Sequence, residues 1–117
     1  MQFLLLIYDD EEACLPETER QRIFTEYKQF TQKIKSSGNY LACAQLRQIV
    51  AATSLRLRQG RRLLTDGPFA ETREQLGGYY LIDARDLDEA LDIAAQVPSV
   101  RMGVVEVRPI VDSAAQD

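Results

Sequence analysis

The chemistry open to this chain is limited first by a missing residue type, because none of its 117 amino acids is histidine. A Ser-His-Asp or Cys-His nucleophilic site is therefore excluded, as is a zinc or iron centre with histidine ligands. General acid–base work falls to carboxylates, tyrosines or a lysine of perturbed pKa. The two cysteines, Cys14 and Cys43, form no C-x-x-C motif and are too few for a disulfide scaffold. We predict that neither a metal nor an organic cofactor is needed, and that Cys43 is a small buried residue.

Two carboxylates are the candidate catalytic groups. Asp66 opens a rigid Asp-Gly-Pro turn, and Glu74 stands just before a predicted strand. Either could act as a base whose pKa is raised by apolar surroundings. The structural alternatives are that Asp66 bonds the backbone of its own turn, and that Glu74 belongs with Glu71 and Arg73 to a solvated charged connector.

Four further side chains are candidate substrate ligands, namely Tyr8, Tyr80, Glu106 and Arg108. Arg108 is always charged and fork-shaped, so it could hold a carboxylate or a phenolate. Glu106 shares its strand face, and an ion pair between the two at a dimer interface is the structural alternative. Tyr8, at the end of the first strand, could offer its hydroxyl, and Tyr80 or its neighbour Tyr79 could supply an aromatic wall. The alternative for all three tyrosines is a place in the core.

Two runs of charge carry no catalytic pattern. The acidic run at residues 9–12 lacks the spacing of a calcium loop and is predicted to be a solvated loop. A basic stretch without an intervening acid comprises Arg47, Arg56, Arg58, Arg61 and Arg62. We predict that it is a solvated hairpin face, or that it contacts an acidic partner or the acidic segment of another subunit. The net charge of −4 argues against a dedicated nucleic-acid binder.

The elements that must position these residues alternate between strands and helices. Apolar and alternating runs predict strands at residues 2–8, 40–50, 78–83 and 103–108, with a hairpin at 53–65. A first helix is predicted from Pro16 to Gly38. Its inner face comprises Ile23, Phe24, Tyr27, Phe30 and Ile34. A second helix is predicted from Asp86 to Pro98. Its inner face comprises Leu87, Ala90, Leu91, Ala94 and Ala95.

The order of elements predicts an α+β ferredoxin-like sandwich with an inserted β-hairpin, in one domain at residues 1–111 followed by a frayed tail at 112–117. The first strand is apolar on both faces, and residues 79–82 repeat that pattern. Monomers rarely expose so large an apolar face, so we predict a homodimer packed sheet to sheet about a two-fold axis. The apolar N-terminal run is too short for a membrane span and lacks the basic lead of a signal peptide, which predicts a soluble cytoplasmic protein.

The segment that begins Asp66-Gly67-Pro68-Phe69 and runs to Tyr80 resembles the signature of the YCII-related proteins, also called the DGPF family. The closing run at residues 105–109 resembles the ending of the same family. The resemblance implies a dimeric α/β barrel, a fold similar to the muconolactone isomerase group, and a suspected enzymatic activity. It also implies a link to extracytoplasmic-function sigma factors, beside which relatives are often encoded. The His–Asp pair proposed as catalytic in the wider family has no counterpart here.

Two functions of different classes follow. The first is a cofactor-independent enzyme, or a ligand-binding relative of one, that transfers protons on a small anionic and aromatic molecule, as a lyase or isomerase does. The second is a regulatory module that binds a sigma factor through the basic hairpin. An internal polar cavity on which Glu, Asp, Arg and Tyr side chains converge would favour the first function, and a dry, filled barrel with an exposed hairpin patch would favour the second.

Overall fold

A computed structural model describes residues 1–11, 13–70 and 72–112. The elements in chain order are β1 (Gln2–Asp9), α1 (Glu17–Ser36), β2 (Tyr40–Gln45), β3 (Thr53–Arg58), β4 (Arg61–Asp66), β5 (Gln75–Asp83), α2 (Leu87–Ala94) and β6 (Val104–Pro109). Short 3₁₀ helices lie at Ile49–Ala51 and Pro98–Arg101. The predicted tail beyond residue 112 lies outside the described residues, as do Glu12 and Glu71. No helix within the described ranges is both long and apolar enough to cross a bilayer.

Four strands form one antiparallel sheet in the order β2-β5-β1-β6, and β3 pairs only with β4 in a second, two-stranded sheet. Both helices pack on the same face of the larger sheet, since residues of α1 and α2 share one buried cluster with β1. This arrangement is the ferredoxin-like α+β fold predicted from the sequence, with the hairpin inserted between β2 and β5.

The core lies between the four-stranded sheet and the helices. Phe3, Leu5 and Ile7 point from β1 into this core. The helices contribute Phe30, Ile34, Ala90, Ile93 and Ala94. Val105 and Val107 of β6 pack against the same cluster, as the alternation of that strand predicts.

Four of the side chains predicted to face the core are exposed instead, namely Phe24, Leu87, Leu91 and Ala95. At about 100° per residue, Phe24 lies well around α1 from the stripe that holds Phe30 and Ile34. On α2 the buried stripe runs through Ala90, Ile93 and Ala94, so the two leucines fall at its border. Ile93, which the prediction omitted, takes their place in the core.

The second strand is shorter than predicted. It ends at Gln45 rather than near residue 50, because its pairing with β5 stops at Gly78. Beyond it the backbone N–H of Ile49 donates to the Glu11 carboxylate instead of to a strand. Cys43 is exposed and not buried, since β2 is an edge strand with a neighbour on one side only.

The β3–β4 hairpin, Thr53–Asp66, is called the arm below. Its turn holds Gln59 and Gly60 at positive φ values of 51° and 76°, the geometry of a type I′ turn. Only Ser54 within it is even partly buried. The radius of gyration is 16.5 Å, against about 13 Å for a compact domain of this length. The molecule measures 50 × 48 × 18 Å, so it is a flat two-layer body that carries an extended arm.

The sheet face turned away from the helices is called the open sheet face below. It is formed by alternate residues of the four strands, which the register brings together as Leu4, Leu6, Tyr8, Ala42, Ala44, Tyr79, Leu81, Val104, Glu106 and Arg108. Apolar side chains dominate it. The described residues provide no second layer over this face, since both helices pack on the other side.

Candidate functional site

The carboxylate of Asp9 lies where β1 ends, on the side of the sheet that faces the helices. Asp9 follows Phe3, Leu5 and Ile7 in the two-residue alternation of the strand. A bulge precedes it, because Ile7 lies opposite Gly78 whereas Tyr8 lies opposite Leu76. Gly77 is the extra residue in β5. Bulges of this kind re-aim neighbouring side chains and occur often beside functional sites.

A chain of hydroxyl groups links Asp9 to α1. The Ser99 hydroxyl donates to Asp9 Oδ2 across 3.4 Å, and the Tyr27 and Ser99 hydroxyl oxygens lie 2.5 Å apart. A serine hydroxyl has one proton to donate, so the bond between the hydroxyls runs from Tyr27 to Ser99. Ser99 is buried in the Pro98–Arg101 3₁₀ helix. Three separate elements therefore supply one directed chain that ends on the carboxylate.

The surroundings of Asp9 favour its protonated form. Burial raises the pKa of the Asp9 carboxyl; the Ser99 hydrogen bond opposes this, and the nearby Glu74 carboxylate raises the pKa further. Burial also raises the pKa of Tyr27, which keeps its hydroxyl protonated and able to donate. Glu74 is thus the one sequence-predicted catalytic carboxylate that the fold brings close to this chain of groups.

The lack of a side chain at Gly103 gives the backbone room around Asp9. A Cβ atom on Gly103 would lie 2.0 Å from the Tyr8 carbonyl oxygen and 2.9 Å from Asp9 Oδ1. Both distances are shorter than the van der Waals contact of a Cβ atom allows. A Cβ on Gly77 would lie 3.8 Å from Asp9 Oδ2, an ordinary contact. A close backbone approach occurs at Gly78, where a Cβ would meet Ala44 O at 2.8 Å.

Tyr80 lies behind this chain of groups in the core. Its ring stacks on Tyr27 at 6.5 Å between centroids and meets Phe30 edge-on at 5.1 Å, and its hydroxyl lies 2.7 Å from Thr31 Oγ1. Tyr80 pairs with Leu5, so the alternation turns it toward the helices, away from the other predicted substrate ligands. Tyr79, the neighbour that the sequence left as the alternative, lies on the open sheet face.

The remaining predicted site residues lie in two other places. Tyr8, Glu106 and Arg108 are on the open sheet face, where Arg108 forms an ion pair with Glu106. Asp66 ends the arm and is exposed. Its turn is closed by other groups: Gly67 N–H donates to Ala52 O at 2.7 Å, and the Ser54 hydroxyl donates to Gly67 O at 2.8 Å. The predicted set is therefore split among the sheet end, the open face, the arm and the core.

The acidic run that begins at Asp9 is more than a solvated loop. Asp9 bonds Ser99, Asp10 pairs with Arg73 at 3.7 Å, and the Glu11 carboxylate accepts the Ile49 N–H at 3.0 and 3.2 Å. The sequence contained one signal for the role of Asp9, because this residue follows Phe3, Leu5 and Ile7 at two-residue steps and so shares their face of β1. It contained no comparable signal for Ser99.

Two surface hollows lie away from this site. One of about 440 Å³ is lined by outward residues of α1, and one of about 550 Å³ is lined by residues 45–48, Val50 and Ala51. Both are open to solvent. Within residues 1–11, 13–70 and 72–112, no three carboxylate or cysteine side chains are grouped so that they could hold a metal ion.

Comparison with known sequences places this chain in a family. The family model of the YCII-related domain matches residues 1–114. The chain therefore belongs to the YCII-related family. It is 38% identical over 114 residues to an uncharacterized protein of Rhizobium meliloti (strain 1021), a match that covers 94% of this chain and 92% of the other.

A solved structure shares the fold. It is 5-chloro-2-hydroxyhydroquinone dehydrochlorinase from Burkholderia phenoliruptrix, in complex with 2,5-dihydroxybenzoquinone. The TM-score is 0.52 at 14% sequence identity, and the match covers 100% of both chains. At this identity the likeness establishes the ferredoxin-like architecture and nothing finer.

Proposed function

We propose that this chain is a cofactor-independent enzyme that transfers protons on a small phenolic or quinol-like molecule, as an isomerase or lyase. The observation that carries the proposal is the partly buried Asp9 carboxylate, bonded to Ser99 and through it to Tyr27. A carboxyl group of raised pKa at the edge of a core is a suitable general base, because its pKa moves toward the working pH.

The proposed step is a tautomerisation that needs no oxidant. Asp9 accepts the proton of a substrate hydroxyl, the oxygen becomes a ring carbonyl, and the shifted electron pair takes a proton at a ring carbon. The ring carbon takes that proton back from Asp9, or takes one from solvent while Asp9 releases its own to solvent, so that one O–H proton is exchanged for one C–H proton. Ser99, itself bonded to Tyr27, holds the carboxylate oxygen in a fixed direction. Burial, with a smaller contribution from the Glu74 carboxylate, raises the pKa of Asp9.

A neutral hydroxyl substrate fits this site better than the anion expected from the sequence. Arg108, the expected anion ligand, lies opposite Leu4 in the neighbouring strand. Tyr8 is four residues further along that strand, so Arg108 and Tyr8 are roughly 13 Å apart along the strand direction. The charge of Arg108 is already matched by Glu106. The carboxylates of Asp9 and Glu74 would repel an anion and would attract the proton of a phenol.

The solved relative supports the substrate class by analogy of fold. Its name gives a hydroxyhydroquinone as the molecule it acts on, and its complex holds a dihydroxybenzoquinone. A shared fold does not transfer an activity, so this comparison adds weight only where the site chemistry agrees. The agreement here is between the phenolic molecule in that protein's name and the Asp9 carboxylate of this chain, which could accept a phenolic proton.

We also propose that the working form is a homodimer packed through the open sheet face. Leu4, Leu6, Tyr79 and Leu81 would otherwise remain an apolar patch of the kind that monomers avoid. A self-complementary face suits a two-fold axis. In this packing the ion pair of Glu106 with Arg108 would lie at the dimer interface.

The experiment for the enzymatic proposal is a ligand screen with phenols, hydroquinones and small carboxylates, followed by NMR titration of the hits. We expect wild type to bind a phenol or hydroquinone, and Asp9→Asn to bind the same molecule at least about tenfold more weakly. The reason is that a lost hydrogen bond to a charged group costs about 1.4 kcal/mol or more, which corresponds to a tenfold change in affinity. Asp88→Asn, an exposed change on α2, is the matched control and should bind as wild type does. If Asp9→Asn binds the hits as tightly as wild type does, the site moves to the open sheet face. The same conclusion follows if only carboxylates bind and Arg108→Met abolishes their binding.

A second candidate function rests on the exposed arm. Its leucines and arginines would suit a regulatory module that binds a partner protein such as a sigma factor. That function requires the arm to be vacant in the free homodimer. Capture of a purified sigma factor by wild type, and its loss on reversing the arm charges, would support it.

A further inference from the structure

We propose that the arm clasps a second copy of this chain, laying its leucines on that copy and its arginines against that copy's acidic surface. The inference rests on the homodimer proposed above and is independent of the proton chemistry at Asp9. Its occupant is a protein of the same sequence, identified by charge and by apolar surface.

The first observation is an uncovered leucine face. Leu55 lies directly opposite Leu64, and Leu57 opposite Arg62, so the three leucines project from the same side of the hairpin. The exposed fraction is 55% for Leu55, 62% for Leu57 and 64% for Leu64. A two-stranded hairpin is marginally stable alone and needs a surface to pack on. The described part of the chain provides none for this face.

The second observation is a group of unmatched arginines on the other side. Arg58 lies directly opposite Arg61, a like-charge cross-strand pair that destabilises a hairpin. Arg56 stacks on Phe69 at 5.0 Å. Within the described ranges, these three arginines form no ion pair with a carboxylate of their own chain. Proteins that break a local rule of this kind commonly do so at functional sites.

The third observation is how charge is divided along the chain. Residues 47–65 hold five of the fourteen basic residues and none of the eighteen acidic ones. The rest of the chain therefore has nine basic and eighteen acidic residues, a net charge of −9 against +5 for this stretch. An acidic complement to the arm is thus present in every copy.

A second copy is favoured over an unrelated acidic protein because the proposed sheet dimer already holds it nearby. A strand of six residues extends about 20 Å, and the arm follows β2, an edge strand of the four-stranded sheet. Once two sheets are joined, the arm meets its complement at a high effective concentration. The leucines would then be covered and the arginines matched without a third component.

The test is the dimer dissociation constant by sedimentation equilibrium at several salt concentrations. Arg58→Glu with Arg61→Glu reverses the charge while keeping a like-charge pair, and Leu55→Ser with Leu57→Ser removes the apolar contact. We expect each pair to raise the dissociation constant about tenfold or more, and salt to weaken the wild-type dimer. Lys28→Glu with Lys33→Glu makes the same charge change on the exposed side of α1 and should stay within about twofold of wild type.

A measurement on wild type guards against misfolded variants. Trypsin cleaves after the arm arginines, and a clasped arm should be cleaved more slowly as the protein concentration rises through the dimer dissociation constant. The clasp would be overturned if the arm of the dimer is cleaved at the same rate at every protein concentration. It would also be overturned if neither arm variant changes the dimer dissociation constant. Either result would leave the arm to another partner. A monomer at every concentration would overturn the clasp and the dimer together, while binding of phenols at Asp9 would still be tested separately.

Discussion

The hydroxyl oxygens of Tyr27 and Ser99, 72 positions apart in the sequence, lie 2.5 Å from each other. Ser99 continues the contact to the Asp9 carboxylate, so α1, the 3₁₀ helix after α2 and the end of β1 meet in one set of hydrogen bonds. Buried polar groups are costly unless they are bonded, and within the described residues no buried side-chain polar atom lacks a partner. The arrangement therefore fixes the direction of a carboxylate whose pKa is raised.

Replacing Ser99 with alanine should both destabilise the protein and change Asp9. The variant leaves the Tyr27 hydroxyl without its acceptor, at a cost of about 1–3 kcal/mol in the free energy of unfolding. The pKa of Asp9 should rise further, because the Ser99 hydrogen bond lowers it in wild type. Urea denaturation and NMR titration of the Asp9 carboxyl measure the two effects. Ser36→Ala, an exposed change at the end of α1, is the control, and an Asp9 pKa unchanged in Ser99→Ala would contradict the hydrogen bond.

The raised pKa of Asp9 predicts a pH dependence of stability. The folded protein holds this proton to a higher pH than the unfolded chain does, so the contribution of Asp9 to stability is fully present below the unfolded pKa, near 3.9, and is lost as pH rises through the folded value. Asp9→Asn does not titrate. Its stability relative to wild type should therefore increase as pH rises across that window. Denaturation of both proteins at a series of pH values from about 3.5 to 7 tests this, and parallel curves would show that the pKa is not raised.

Tyr80 should matter for stability and not for ligand binding. Tyr80→Phe keeps the ring contacts with Tyr27 and Phe30 and removes the hydroxyl that meets Thr31, which should cost about 1 kcal/mol in the free energy of unfolding. Tyr79→Phe on the open face should cost less. Calorimetric ligand titrations of both variants complete the comparison. A loss of affinity in Tyr80→Phe with stability intact would return Tyr80 to the list of substrate ligands.

Gly103 and Gly77 should respond differently to alanine. At Gly103 the new Cβ would meet the Tyr8 carbonyl oxygen at 2.0 Å, so the backbone must move, at a cost of about 1–3 kcal/mol or more. At Gly77 the nearest atoms are 3.8 and 3.9 Å away, and the change should be close to neutral. Thermal denaturation of the two variants makes the comparison. Equal melting temperatures would mean that β1 and the start of β6 are not packed as described.

The sequence by itself determined the elements, the order in which they pair, and the two alternating faces of β1 and β6, but not which face of β1 meets the helices. Strand alternation and helix periodicity are local properties, and they correctly grouped Phe3 with Leu5, and Val105 with Val107, on shared strand faces. Local periodicity was less reliable at the border of a helical stripe, where Phe24 and Leu91 turned outward. The length of β2 was misjudged because a strand ends where its partner ends.

Only the tertiary structure decided which chemical groups meet. Ser99 is remote from Asp9 and Tyr27 in sequence, and no spacing rule predicts a contact that depends on a 3₁₀ turn packing against the end of β1. The same holds for Asp66, which local turn chemistry made a strong candidate and which the fold placed on an exposed arm. Proton chemistry depends on distance and burial, and those are set by the packing of whole elements.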